Sequence, residues 1–93
     1  FQALSFLNLP LTGLQLKQLS RDLFQNEKYG HIFRVKGFFC EDGHWYQLNS
    51  TANDFLIEEV PENRGAIVVI GSGLDEDAIT LLLTGKRPEH HIL

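Results

Sequence analysis

Apolar residues recur along this chain at two periods, and the switches between them divide it into elements. Residues 3–9, ALSFLNL, read as a first strand that Pro10 ends, because proline fixes φ and removes a backbone donor. From Thr12 the period becomes helical. Leu16, Leu19 and Leu23 fall on one face, Gln15 follows Thr12 at capping-box spacing, and Tyr29-Gly30 closes the segment. Residues 31–41 and 44–50 alternate with period two on either side of Asp42-Gly43, a dipeptide suited to the type I′ turn of a two-residue hairpin. A further strand is predicted near Asn53–Val60. The polar turn Pro61-Glu62-Asn63-Arg64-Gly65 follows, and then AIVVIG, whose unbroken apolar run predicts a central strand. The last element is a helix over Glu76–Thr84. Asp75 caps it, Leu74 is placed to staple onto Ile79, and Gly85 ends it.

The hairpin turn fixes register and therefore faces. With Asp42-Gly43 as the loop, Glu41 lies opposite His44, Cys40 opposite Trp45, Phe39 opposite Tyr46 and Gly37 opposite Leu48. Alternation then places Phe33, Val35, Gly37, Phe39, Tyr46 and Leu48 on the face that packs against helices. Arg34, Lys36, Phe38, Cys40, Trp45, Gln47 and Asn49 share the other face. The pattern predicts an α+β fold of two layers, a mainly antiparallel sheet of four or five strands with two helices on one face, related to ferredoxin-like arrangements.

Composition narrows the function. With 93 residues the chain has room for one domain, 1–93, with residues 86–93 as a tail. No apolar run approaches the roughly 18 residues that span a bilayer, and Phe1 opens directly into patterned sequence without signal-peptide character. The chain has no Met, an initiator included, and so reads as a piece of a longer protein. Eight basic residues against twelve acidic ones give a net charge of −4, which disfavours phosphate backbones as partners. Cys40 is the single cysteine, so no internal disulfide forms and a reducing, cytoplasmic setting is the simpler expectation.

Reactive constellations are sparse. No GxxxxGK[ST] phosphate loop exists. The nearest feature, Gly71-Ser72-Gly73 before the last helix, is followed by the acidic LDED and reads as a tight turn rather than an anion cradle. Cys40 and His44 have the spacing of a metal pair, but the hairpin register sends them to opposite sides of the sheet. His90 and His91 are adjacent on the tail and make a poor preformed metal site. Glu58 and Glu59 are neighbours on a strand and diverge, and no serine sits in a nucleophile elbow, so no catalytic residue is assigned. FRVKGFF has part of the RNA-recognition strand motif in Lys36, Gly37 and Phe38. The aromatic ladder breaks at Cys40, although Trp45 across the hairpin partly restores it.

These residues together resemble a known family. The strand and helix, then Ile32-Phe33-Arg34-Val35-Lys36-Gly37-Phe38, Trp45-Tyr46-Gln47-Leu48-Asn49, and Ile67-Val68-Val69-Ile70-Gly71 with Leu74-Asp75 opening the last helix, are similar to the C-terminal domain of CobW-type proteins, the cobalamin-synthesis-protein-like GTPases. The resemblance implies a separate N-terminal P-loop domain that uses GTP and magnesium and handles zinc or cobalt. None of its motifs is in this sequence, so no cofactor is expected in the chain itself. What the resemblance implies here is a non-catalytic interaction or regulatory domain of a metal chaperone. Its partners would be its own GTPase domain, a client metalloprotein or a second copy, with neither membrane nor nucleic acid among them. Arg34, Lys36, Phe38, Trp45 and Gln47 are the docking candidates, because arginine and aromatic residues concentrate at binding hot spots. An independent RNA- or ligand-binding module on the same face is the alternative reading.

Overall fold

The computed structural model describes residues 1–87, which fold as β1 (Gln2–Leu7), α1 (Gly13–Gln25), a 3-10 turn (Glu27–Tyr29), β2 (His31–Glu41), β3 (His44–Ser50), β4 (Phe55–Val60), β5 (Ala66–Ser72) and α2 (Glu76–Thr84). The strands form one antiparallel open sheet in the order β1-β5-β2-β3-β4. β1 and β2 thus run parallel to each other with β5 inserted between them and α1 crossing over. This split β-α-β arrangement is the ferredoxin-like part of the fold.

Local chemistry sets the boundaries. Thr12 Oγ1 accepts from the Gln15 N–H at 3.2 Å while Gln15 Oε1 accepts from the Thr12 N–H at 2.9 Å, so the predicted capping box is complete. Glu41, at the far end of β2, adds a carboxylate that accepts the Gly13 N–H at 2.6 Å. It thereby ties the positive end of α1 to the hairpin. Asp75 Oδ1 accepts from the Ala78 N–H at 3.1 Å to open α2, and Gly85 closes it in the left-handed region with φ 70°. Between β2 and β3, Asp42 and Gly43 both have positive φ, 52° and 78°, as a type I′ turn requires.

Both helices lie on one face of the sheet. Leu16 and Leu23 of α1, Ile79 and Leu83 of α2, and Val35, Phe39, Leu48, Ile67 and Val69 of the sheet form one buried cluster, with Tyr29 and Ile32 at its end. Burying each leucine of this kind contributes about 1.5–3 kcal/mol. β2 and β5 approach most closely at Gly37, whose φ of 149° suits glycine alone. A Cβ there would run into the carbonyl of Ala66.

One core assignment is overturned. Strict alternation puts Phe33 among the helices, but the β2–β5 register shifts between Ile32, opposite Gly71, and Arg34, opposite Ile70. The bulge leaves Phe33 as the extra residue, so Ile32 enters the core instead. Phe33 is turned out, 43% exposed, with its ring edge-on to His31 at 4.8 Å. Two strand ends also shift. β1 stops at Leu7 because Asn8 takes positive φ and donates its N–H to the Gly65 carbonyl. β4 begins only at Phe55, after a loop closed by the Thr51 N–H on the Asp54 carbonyl.

Candidate functional site

The face away from the helices carries every side chain that alternation assigned to it. The β2–β3 pairs are Cys40 with Trp45, Phe38 with Gln47 and Lys36 with Asn49, and the pairing continues outward to Val60, Glu58 and Leu56 on β4. On the other side Lys36 lies beside Val68 and Arg34 beside Ile70 of β5, and these lead to Ser5 and Ala3 of β1. Among the described residues no element covers this face.

The five docking candidates divide into two environments. Arg34, Lys36 and Gln47 are exposed, and the Arg34 Nε donates to Asn49 Oδ1 at 2.8 Å, which ties the guanidinium to β3. Phe38 and Trp45 are half-buried. They line a small cavity of about 300 Å³ with Asn8, Leu9, Cys40 and Gly65 at the end of the sheet. The turn before β5 and the residues after β1 thus flank the two rings as a second small core, with Gly65 packed between Asn8 and the indole. Several apolar residues on this face escaped the sequence reading. They are Phe33, turned out by the bulge, Leu56 at 61% exposed, Leu7 at 71%, and the half-buried Val68 and Ile70. Their placement depends on strand order and on the bulge, although the unbroken AIVVI run signalled that β5 is apolar on both sides.

The other reactive groups do not converge. Cys40 is exposed on the open face, whereas His44 lies on the helix side and approaches Glu59, Nδ1 to Oε1, at 3.5 Å. His90 and His91 lie outside the described residues. Among the described residues no three His, Cys, Asp or Glu side chains gather to hold a metal ion. Two amides that follow the Gly71-Ser72-Gly73 turn are already bonded within the domain. The Leu74 N–H donates to Gln2 Oε1 at 2.8 Å and the Asp75 N–H to the Tyr29 carbonyl at 3.1 Å. Gly71 is small because a Cβ there would meet the His31 carbonyl, which is a packing role. Neither the cysteine nor the glycine turn is thus part of an assembled ligand cluster among the described residues. No helix among them is long and apolar enough to cross a membrane.

No curated protein and no solved structure matches the chain. A comparison with protein families does find a match, the cobalamin synthesis protein cobW C-terminal domain, over residues 9–85. That span begins just after β1, ends at the glycine that closes α2, and includes both helices, the hairpin and the β2–β5 part of the uncovered face. The chain belongs to this family of C-terminal accessory domains, which are not catalytic on their own.

Proposed function

We propose that this domain is the interaction and regulatory part of a CobW-like, GTP-dependent metal chaperone of cobalamin biosynthesis or zinc and cobalt homeostasis. Its open sheet face is the docking surface. The supporting observation is the uncovered face itself, where the exposed Arg34 and Lys36 of the central strand lie beside Val68 and Ile70 of β5 and the outturned Phe33, with Leu56 exposed on the edge strand beyond Asn49. A surface that sets exposed apolar residues beside a few cations has the composition of a protein interface. GTP, magnesium and the transported metal belong, in this reading, to a P-loop domain outside this sequence. The partner that meets the face is that GTPase domain, a client metalloprotein or a second copy.

Calorimetric titration of the domain with a CobW-type GTPase domain tests the proposal. The double variant Arg34→Glu/Lys36→Glu should weaken binding by at least tenfold and leave the thermal midpoint within a few degrees. Unchanged affinity in the double variant would remove the open face from the interface.

A further inference from the structure

The outer edge of β4 lies at right angles to the open face and has its own chemistry. Among the described residues β4 pairs with β3 alone, which leaves its other side unpaired. The phase of that pairing follows from the loop, where the Thr51 N–H donates to the Asp54 carbonyl at 2.9 Å. In an antiparallel ladder hydrogen-bonded and non-hydrogen-bonded pairs alternate. In step with Thr51 and Asp54, the pairs Asn49–Leu56, Gln47–Glu58 and Trp45–Val60 are therefore the bonded ones. The backbone groups of Phe55, Ile57 and Glu59 consequently point away from the sheet and form a free row of donors and acceptors, a template for another strand.

The side chains beside this row define what fits it. Leu56, 61% exposed, stands on the open face, and Ile57, 40% exposed, stands on the helix side against Gly13 at the start of α1. Next to them Glu58 and Glu59 place one carboxylate on each face. Glu59 approaches His44 at 3.5 Å, and Glu58 has no ion-pair or hydrogen-bond partner among the described residues. A second copy is poorly matched. With Ile57 opposite its counterpart, the two Glu58 side chains lie diagonal on one face. A shift that places Ile57 opposite the other Glu59 sets the two Glu58 side chains directly across from each other, and like charges so placed are destabilising.

We infer that the β4 edge accepts an extended segment of another protein by strand addition, and that this segment carries two adjacent basic residues followed by two apolar ones. In antiparallel orientation the basic pair falls opposite Glu59 and Glu58, one cation on each face. The apolar pair falls opposite Ile57 and Leu56. Main-chain bonds to Ile57 and Glu59 supply the affinity and the alternating side chains supply the selectivity. Leu56 borders both surfaces, but the inference does not rest on the open-face reading, since the outward main-chain groups of Ile57 and Glu59 belong to the edge alone.

Amide hydrogen exchange with a capped, threonine-flanked Lys-Lys-Val-Val peptide tests it, with the Glu-Glu-Val-Val peptide as control. At a peptide concentration ten times its Kd, protection of the Ile57 and Glu59 amides should rise about tenfold. The already bonded Leu56, Glu58 and Val60 amides should change little, and the acidic peptide should have no effect. Ile57→Pro removes an outward donor without touching the β3 ladder and should abolish the effect. Glu58→Lys/Glu59→Lys should transfer the preference to the acidic peptide, and this variant decides the matter if the proline variant does not fold. Equal protection by both peptides, protection at β1 instead, or protection that grows with protein concentration alone would overturn the inference. The last outcome would mean that a second copy fills the edge.

Discussion

The two sides of β5 are made of the same kind of residue and have different neighbours. Ile67 and Val69 are 1% and 0% exposed beneath the helices, while Val68 and Ile70, one step along the same strand, are only half-buried. A strand with water on one side ordinarily alternates apolar with polar, and a strand covered on both sides reads as a continuous apolar run. β5 has the sequence of the second kind in the surroundings of the first. The helix-covered side shows how this sheet looks when its apolar residues are satisfied. The other side shows the same composition without its cover, which is the physical reason for reading it as a docking surface.

Mutations separate the two sides, beginning with the largest effect. Leu23→Ala, in the buried stripe of α1, should destabilise the domain by about 3–4 kcal/mol in urea denaturation. The same truncation at Leu56 on the open face should shift stability by less than about 0.5 kcal/mol. Similar losses at both positions would mean that the open face is covered within the domain. Gly37→Ala should cost about 2–3 kcal/mol, because the positive φ and the Ala66 carbonyl leave no place for a methyl group. A neutral result would show that β2 and β5 separate there at little expense. Trp45→Ala sharpens the contrast at the end of the sheet, where the indole is half-buried. It should lower stability by about 1–2 kcal/mol and also weaken docking, so thermal melts and binding titrations should both respond. Glu41→Gln loses the charge that faces the α1 N-terminus and should cost about 0.5–1 kcal/mol, less in high salt.

Local chemistry explains what was legible in the sequence. Asp42-Gly43 dictated the hairpin, and with it the whole β2–β3 register from Glu41–His44 onward. Thr12 with Gln15, and Asp75 with Gly85, marked helix ends that the structure places at the same residues. The same hairpin parity put Arg34, Lys36, Phe38, Trp45 and Gln47 on one side of the sheet. What alternation missed depends on partners distant in sequence. Phe33 leaves the core because β2 pairs with β5, about 35 residues along the chain, and absorbs a bulge there. Phe38 and Trp45 are half-buried because the turn at Gly65 and the residues after β1 come together at that end of the sheet. Strand order also decides that β4 lies at the edge and that β5, not β3, separates β1 from β2. The cations of the candidate surface were therefore readable from a single hairpin, whereas the apolar residues that flank them required the folded sheet.

Backbone amide shifts of the isotopically labelled domain, followed as a CobW-type GTPase domain is added, test the central claim most directly. The account predicts that perturbations concentrate on Arg34 to Phe38, Trp45 to Asn49 and Val68 to Ile70, with α1 and α2 nearly silent. Perturbations confined to the exposed sides of α1 and α2, with the open sheet face unmoved, would contradict it.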